Sequence, residues 1–165
     1  MANILSYLFS LFYCVAFSIL LDKASSDCPL GWYHYGKLCY FFSHESFDWF
    51  VSQSSCHEHN ARLAEVHSKP QSDFLVNLAK TYGPGQSYWL GGRDDVIEGI
   101  WMWASADQVF NYTDWYPGEP SNSGGNENCL VYGAVALKWN DTPCRNAYRF
   151  ICEKEYPGDG SEVIG

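Results

Sequence analysis

Positive charge is scarce in this chain. Its 165 residues include 10 Lys and Arg against 19 Asp and Glu, which gives a formal net charge of −9 at pH 7. No run of Lys or Arg occurs anywhere in the sequence. Proteins hold nucleic acids and anionic lipid surfaces mainly through such basic clusters, so neither partner is expected. The charge favours cations and neutral molecules as ligands.

The chain also lacks the motifs of the common enzyme classes. No Cys-x-x-Cys pair is present to build a zinc site. His57-Glu58-His59 resembles part of a metalloprotease motif but lacks the His at i+4, so a solvated helix end explains it better. No order of Ser, His and Asp or of Cys and His indicates a nucleophilic site. We therefore do not expect an enzyme.

A long apolar run occupies residues 4–21 and is followed by Ala24-Ser25-Ser26, a small-x-small pattern. This arrangement predicts a signal peptide over residues 1–26 that is cut after Ser26. The run is near the length of a membrane span, so an uncleaved anchor is the alternative. Cleavage is favoured because almost nothing precedes the run to form a cytoplasmic tail. The prediction is a secreted, extracellular protein without a membrane anchor, with one domain over residues 27–155 and a flexible tail over 156–165.

The cysteines support an extracellular location. Removal of the signal peptide takes away Cys14, the odd member of seven, and leaves six: Cys28, Cys39, Cys56, Cys129, Cys144 and Cys152. An even number of cysteines behind a signal peptide predicts three disulfides formed in an oxidising compartment. Six cysteines allow 15 pairings, and their spacing alone does not choose among them.

Helical signals come early in the chain and strand signals come late. The aromatic residues 32–42, interrupted by a glycine, favour a hairpin. Ser46 is expected to cap a first helix that runs to about residue 59, and Ser68 to cap a second helix that ends before Gly83. Short strands are expected at residues 88–92, 100–103, 129–132, 136–139 and 148–153. Two helices followed by short strands predict an α+β fold.

Oxygen-donor side chains concentrate between residues 115 and 141, in two groups that an apolar, strand-like run separates. The groups comprise Glu119, Ser121, Asn122, Glu127 and Asn128, then Asn140 and Asp141. Ca²⁺ takes about 6–8 oxygen ligands of these types. The spacing differs from an EF-hand loop, so the fold would have to bring the two groups together. A solvated loop is the alternative reading of the first group.

The whole stretch from residue 28 to residue 153 resembles the C-type lectin-like domain. The resemblance rests on Cys28-Pro-Leu-Gly-Trp32, Tyr88-Trp-Leu-Gly-Gly92, Glu119-Pro-Ser121, Trp139-Asn-Asp141 and Phe150-Ile-Cys152-Glu153. Residues 89–99, 111–115 and 123–129 look most like secreted molluscan lectins such as perlucin and codakine. The resemblance implies the long form of the domain, with two helices, short antiparallel sheets and a long Ca²⁺-binding loop region. It also implies a cis bond before Pro120 and the disulfides Cys28–Cys39, Cys56–Cys152 and Cys129–Cys144.

The resemblance further implies a principal Ca²⁺ site at which two vicinal sugar hydroxyls bind the ion and its ligands. The ligands, and the carbohydrate-binding residues, would be Glu119, Ser121, Glu127, Asn140 and Asp141. A second Ca²⁺ site would use Glu127 again, together with Asp94, Glu98, Asn122 and Asn128. Family members with Glu-Pro-Asn favour mannose-type sugars and those with Gln-Pro-Asp favour galactose. Here Glu119 matches the first motif, whereas Ser121 matches neither, so we expect weakened mannose-type binding, with Asn122 or a water filling the gap.

Three functions remain open at this point. The first is a Ca²⁺-dependent lectin that recognises and agglutinates microbial or self glycans in innate immunity. The second is a perlucin-like matrix protein that acts on calcium carbonate in biomineralisation. The third is a protein binder whose sugar site has decayed. No coiled-coil stalk is present, so multivalent binding would require another form of homo-oligomer.

The sequence also contains two glycosylation sequons and several tryptophans near the proposed site. Asn111 lies in a sequon in a loop that we expect to be exposed and glycosylated. Asn140 also lies in a sequon, but a glycan there would destroy the ion site, so we expect it to be unmodified. Trp101, Trp103 and Trp115 are expected to pack in the core or under loops and not to stack on sugar.

Overall fold

The computed structural model describes residues 28–156. The predicted signal peptide, and the predicted tail beyond Tyr156, lie outside these residues. Tyr156 itself packs on the protein, since its ring stacks on His34 at 4.1 Å and its amide donates to the Lys37 carbonyl at 2.7 Å. Within residues 28–156, no helix is both long enough and apolar enough to cross a bilayer.

Two helices and nine short strands form the domain. In chain order they are β1 (Tyr33–Tyr35), β2 (Leu38–Phe42), α1 (Trp49–Glu58), β3 (Arg62–Leu63), α2 (Lys69–Tyr82), β4 (Tyr88–Arg93), β5 (Met102–Trp103), β6 (Gln108–Val109), a 3-10 turn (Ser123–Gly125), β7 (Cys129–Tyr132), β8 (Trp139–Thr142) and β9 (Arg149–Glu155). The predicted α+β class and the β1–β2 hairpin are confirmed.

The two helix starts differ in how well local sequence predicts them. Ser68 caps α2 as expected, and its hydroxyl accepts the Gln71 amide at 3.4 Å. The prediction that Ser46 caps α1 is wrong, because the cap is Asp48, whose carboxylate accepts the Val51 amide at 2.8 Å. The physical reason is a contact distant in sequence: Phe47 forms a β-bridge with Tyr148, which keeps the chain extended past Ser46.

Strand β9 joins the two parts of the sheet. It pairs antiparallel with β2 and β3, and parallel with β4 through Tyr88 opposite Arg149. The opposite edge of β4 pairs with β7, which in turn pairs with β8. The edge that pairs with β9 at residues 88–89 pairs with β5 at residues 92–93, and β5 pairs with β6. The predicted antiparallel pairs are therefore linked by one parallel pair.

The strand predicted at residues 136–139 is wrong. A turn over residues 134–136 overlaps its start, Leu137 has a positive φ of 48°, and β8 begins only at Trp139. The two-residue strands β3 and β6 were not predicted, since so short a segment carries no recognisable alternation.

The disulfides pair as the family resemblance implies. Cys28 is bonded to Cys39, Cys56 to Cys152 and Cys129 to Cys144. The second bridge fixes α1 to β9, and the third fixes the start of β7 to the segment after β8. Each such crosslink typically stabilises a small domain by about 2–4 kcal/mol.

Aromatic side chains fill the core beneath the long loop region. Trp101 and Trp103 are buried in it, as predicted. Trp115 packs edge-on against Trp101 and Trp139, with ring centroids 4.9 and 5.6 Å apart. This packing anchors the start of the loop that carries the first oxygen group.

Candidate functional site

The fold brings the two oxygen groups of the sequence together. Trp115 and Trp139 form a parallel β-bridge, in which the Tyr116 amide donates to the Trp139 carbonyl at 2.8 Å. The loop that follows residue 116 therefore starts alongside β8, and it returns through β7, the antiparallel partner of β8. Because β8 carries Asn140 and Asp141, the second oxygen group lies against the loop that contains the first.

Asp141 connects the two groups directly. Its side chain is buried, and its two oxygens accept the backbone amides of Ser121 at 3.0 Å and Asn122 at 2.7 Å. The Glu119-Pro120 bond just before them is cis, as expected. A buried carboxylate that receives two backbone amides is held in one orientation, so Asp141 determines where this part of the loop lies.

Glu127 closes the same loop from its other end. One of its carboxylate oxygens accepts both the Ser121 hydroxyl at 3.1 Å and the Ser123 amide at 2.6 Å. In return, the Asn122 side-chain oxygen accepts the Glu127 amide at 3.2 Å. The Asn122 oxygen that was expected to help bind an ion thus already supports the loop backbone.

Glu119 has a carboxylate oxygen without a hydrogen-bond partner in the described chain. Its Oε2 atom is buried and has no hydrogen-bond partner among residues 28–156. Burial first, and then the neighbouring Asp141 carboxyl, raise the pKa of Glu119 above its ordinary value, although Ser121 opposes this. Two neighbouring carboxyl groups without a cation between them repel each other when both are ionised.

Asn140 completes this side of the site. Its Nδ2 group donates to the backbone carbonyl of Asp141, which leaves the side-chain oxygen as the free polar atom. This hydrogen bond joins adjacent residues, so the orientation of the Asn140 amide is determined within β8 itself.

The residues of the predicted second ion site lie close by. Asp94 is buried, and its Oδ2 atom accepts the Gly99 amide at 3.0 Å, while its backbone amide donates to the Asn128 carbonyl at 3.2 Å. Within the described part of the chain, Asp94 Oδ1 and Asn128 Oδ1 are buried without a partner. Burial raises the pKa of Asp94, and the charges of Glu98 and Asp141 raise it further. Glu98 itself is exposed.

These atoms fit a hard divalent cation. In this region of the described chain the buried oxygens without partners are Glu119 Oε2, Asp94 Oδ1 and Asn128 Oδ1, which belong to two carboxylates and an amide, both Ca²⁺ ligand types. No three His, Cys, Asp or Glu side chains within residues 28–156 form a metal cluster by themselves. The carboxylates of Asp141 and Glu127 instead face loop amides, so amide and hydroxyl oxygens must supply part of any ligand set.

Tyr116 is not among the predicted site residues, although it belongs to this region. The residue is 50% exposed, and its carbonyl accepts the Glu119 amide at 2.9 Å. The available sequence signal is its position directly after Trp115, whose core packing leaves the next side chain on the opposite face.

Comparison with known proteins gives a consistent result. The family profile "Lectin C-type domain" matches residues 45–154. The galactose-specific lectin nattectin of Thalassophryne nattereri is 32% identical over 158 residues, which cover 93% of this chain and 99% of nattectin. Perlucin of Haliotis laevigata is 37% identical over 130 residues, which cover 78% of this chain and 83% of perlucin.

Solved structures agree with the sequence comparison. The cow C-type carbohydrate-recognition domain of CD23, determined in the presence of a GlcNAc2Man3 oligosaccharide, superposes with a TM-score of 0.70 and 32% identity. The match covers 78% of this chain and 95% of that domain. The resemblance inferred from the motifs, including its perlucin branch, is confirmed.

Proposed function

Because the chain belongs to the C-type lectin domain family, we propose that it is a secreted lectin that binds mannose-type glycans through Ca²⁺. The family binds carbohydrates and is not enzymatic, so no reaction is assigned to the chain.

The observation that carries the proposal is the unpartnered Glu119 oxygen beside Asp141. A cation between these groups would provide the missing partner and offset the repulsion of the two carboxylates. The proposed ligands of the principal site are Glu119, Ser121, Glu127, Asn140 and Asp141. The unpartnered oxygens of Asp94 and Asn128 support a second site that also includes Glu98 and Asn122.

A neutral sugar suits such a site chemically. Each hydroxyl can offer a lone pair to the ion, donate its proton to a carboxylate such as Glu119, and accept from an amide such as Asn140. When bound, Ca²⁺ supplies a fixed positive charge that holds both hydroxyl oxygens. The residues of the chain then orient the sugar through their own donors and acceptors.

Mannose-type specificity rests on Glu119, which matches the motif of the mannose-type branch of the family. The cow CD23 domain was determined in the presence of a mannose-containing oligosaccharide, which supports this choice. Nattectin, in contrast, is described as galactose-specific. Galactosides therefore belong in any test beside mannosides.

The disulfides support the extracellular part of the proposed setting. Three disulfides require an oxidising compartment, which supports secretion. We propose a role in innate immunity, in which the protein recognises and agglutinates cells that carry microbial surface polysaccharide. Agglutination requires at least two sites in one particle, and therefore a homo-oligomer.

A second candidate is a matrix protein that acts on calcium carbonate. The similarity to perlucin and the net charge of −9 favour it, because an acidic surface attracts the cations of a mineral face. Binding to calcium carbonate would not need the sugar site, so an experiment that measures sugar binding and mineral adsorption separately can distinguish the two candidate functions.

The experiment is a binding assay on immobilised methyl α-mannoside, methyl β-galactoside and calcite, each with Ca²⁺ and with excess chelator where the surface permits. The lectin proposal expects retention on mannoside that chelator abolishes and re-added Ca²⁺ restores. Undiminished retention on mannoside in chelator would refute the metal mechanism, and retention on galactoside alone would refute the specificity. Calcite adsorption that free mannoside does not compete, without sugar binding, would support the matrix role.

A further inference from the structure

We propose that Tyr116 forms a second sugar subsite beside the principal site, where its ring packs against the pyranose next to the ion-bound mannose. This inference rests on the proposed lectin function and deepens it, because it predicts a preference for oligosaccharides over single sugars. The residue carries no role in the ion site itself.

The backbone determines which way the Tyr116 side chain points. Trp115 and Trp139 pair in a parallel bridge, and both rings point inward, where they pack edge-on at 5.6 Å. Successive side chains of an extended chain point to opposite faces. The next residue on each segment, Tyr116 and Asn140, therefore points to the outer face, and the two side chains are neighbours there.

A turn brings Glu119 to the same place. The Glu119 amide donates to the Tyr116 carbonyl at 2.9 Å, which closes a four-residue turn. The ends of such a turn lie less than about 7 Å apart. Tyr116 thus lies beside Glu119 in one direction and beside Asn140 in the other, and both are proposed sugar-binding residues.

The Tyr116 ring is both accessible and fixed at its base. The residue is half exposed, while its backbone amide and carbonyl are both hydrogen-bonded, to Trp139 and Glu119. A tyrosine held in this way offers an apolar face and a hydroxyl at low cost in conformational entropy. A pyranose ring presents a complementary apolar face of C–H groups with hydroxyls at its rim.

The ring is assigned to the second sugar, and not the first, because the first sugar has its hydroxyls engaged at the ion site. The first mannose would direct its hydroxyls at the ion, Glu119 and Asn140. Its glycosidic neighbour would extend across the outer face that Tyr116 occupies. The ring should therefore raise the affinity for a disaccharide above the affinity for a monosaccharide.

The test compares Tyr116→Ala, Tyr116→Phe and a matched control, Tyr82→Ala. Tyr82 has a similar exposure of 43%, but it lies at the end of α2 and packs on Tyr33 of β1. Titration calorimetry at fixed Ca²⁺ would measure methyl α-mannoside and α-mannobiose with each protein. Thermal unfolding would verify that all variants are folded.

Tyr116→Ala should lower the ratio of mannobiose affinity to mannoside affinity by roughly 2- to 12-fold, the range of one aromatic contact. Tyr116→Phe should retain most of the ratio, and Tyr82→Ala should match the wild type. An equal ratio in the wild type and Tyr116→Ala would overturn the inference while leaving the lectin function intact. If the protein binds galactosides instead, the disaccharide-to-monosaccharide affinity ratio is measured with lactose and methyl β-galactoside. If neither sugar class binds, both the lectin function and the Tyr116 subsite are refuted.

Discussion

The Ser121 hydroxyl donates a hydrogen bond to a carboxylate oxygen of Glu127 at 3.1 Å. Ser121 therefore holds the loop closed at a position where it is also a proposed ion ligand. A single hydroxyl has to serve both purposes. An Asn side chain would separate them, because its NH₂ group can donate to Glu127 or to a sugar while its carbonyl oxygen reaches the ion.

Ser121→Asn should accordingly strengthen sugar binding. One added hydrogen bond contributes about 0.5–1.5 kcal/mol, so affinity for methyl α-mannoside should rise roughly 2- to 12-fold at fixed Ca²⁺. Ser121→Ala, which removes the hydroxyl, should weaken it. Titration calorimetry of the three proteins measures both effects. Unchanged affinity in the Asn variant would mean that another group already fills this ligand position.

Asp141→Asn should abolish sugar binding but leave a folded domain. The substitution keeps the size and one acceptor oxygen of a buried side chain, but it removes the charge and leaves one of the two loop amides without its acceptor. Unfolding in urea with chelator should show a loss of about 1–3 kcal/mol. Cys129→Ser, the scaffold control, should cost about 2–5 kcal/mol. Mannoside binding by Asp141→Asn would remove Asp141 from the site.

Acidification should release sugar reversibly below about pH 5, because metal ligands must be deprotonated. The raised pKa of Glu119 in the ion-free protein makes proton competition effective at this ligand. Higher Ca²⁺ should therefore move the release midpoint to lower pH. Elution from a mannose column at two Ca²⁺ concentrations measures the midpoint, and a midpoint insensitive to Ca²⁺ would contradict linked proton and metal binding.

Glu153 should make the ion-free protein less stable as pH rises. Burial raises its pKa from 4.5 to about 7, with Glu65 adding to the shift and Arg62 opposing it. Because the folded state holds this proton more tightly than the unfolded state, the stabilisation is complete below pH 4.5 and is lost as pH rises through about 7. At roughly 1.4 kcal/mol per pKa unit, the loss is about 3 kcal/mol.

Glu153→Gln isolates this contribution, since its carbonyl oxygen can still accept the Arg62 hydrogen bond that Glu153 receives at 2.8 Å. Asp94 and Glu119 also have raised pKa values and act in the same direction, so the informative quantity is the difference between variant and wild type. Urea unfolding in chelator at several pH values between 5 and 8 should show a shallower slope in the variant. Parallel slopes would show that Glu153 is ionised in the folded protein throughout.

Glycosylation should occur at Asn111 and not at Asn140 in sugar-binding protein secreted from eukaryotic cells. Asn111 is exposed after β6, whereas the Asn140 Nδ2 group, the atom that would carry a glycan, donates to the Asp141 carbonyl within β8. Peptide mass spectrometry of material eluted from a mannose column would locate the glycan. A glycan at Asn140 in this fraction would argue against that residue as an ion or sugar ligand.

Signals local in sequence determined several features by themselves. Ser68 and Gly83 set the ends of α2, because a cap and a helix stop each act within a few residues. Six cysteines behind a predicted signal peptide indicated three bridges, and the family motifs chose the pairs that the structure contains. The types of oxygen ligand were equally visible, because they depend on side-chain chemistry alone.

Other features were decided only by contacts between distant segments. Asp48 and not Ser46 caps α1 because Phe47 pairs with Tyr148, about a hundred residues later in the chain. The burial of the Glu119 Oε2 atom and the outward direction of Tyr116 depend on pairing of the loop with β8. Local propensity does not encode such pairings, since a residue's burial and its partners are set by whichever segment packs against it.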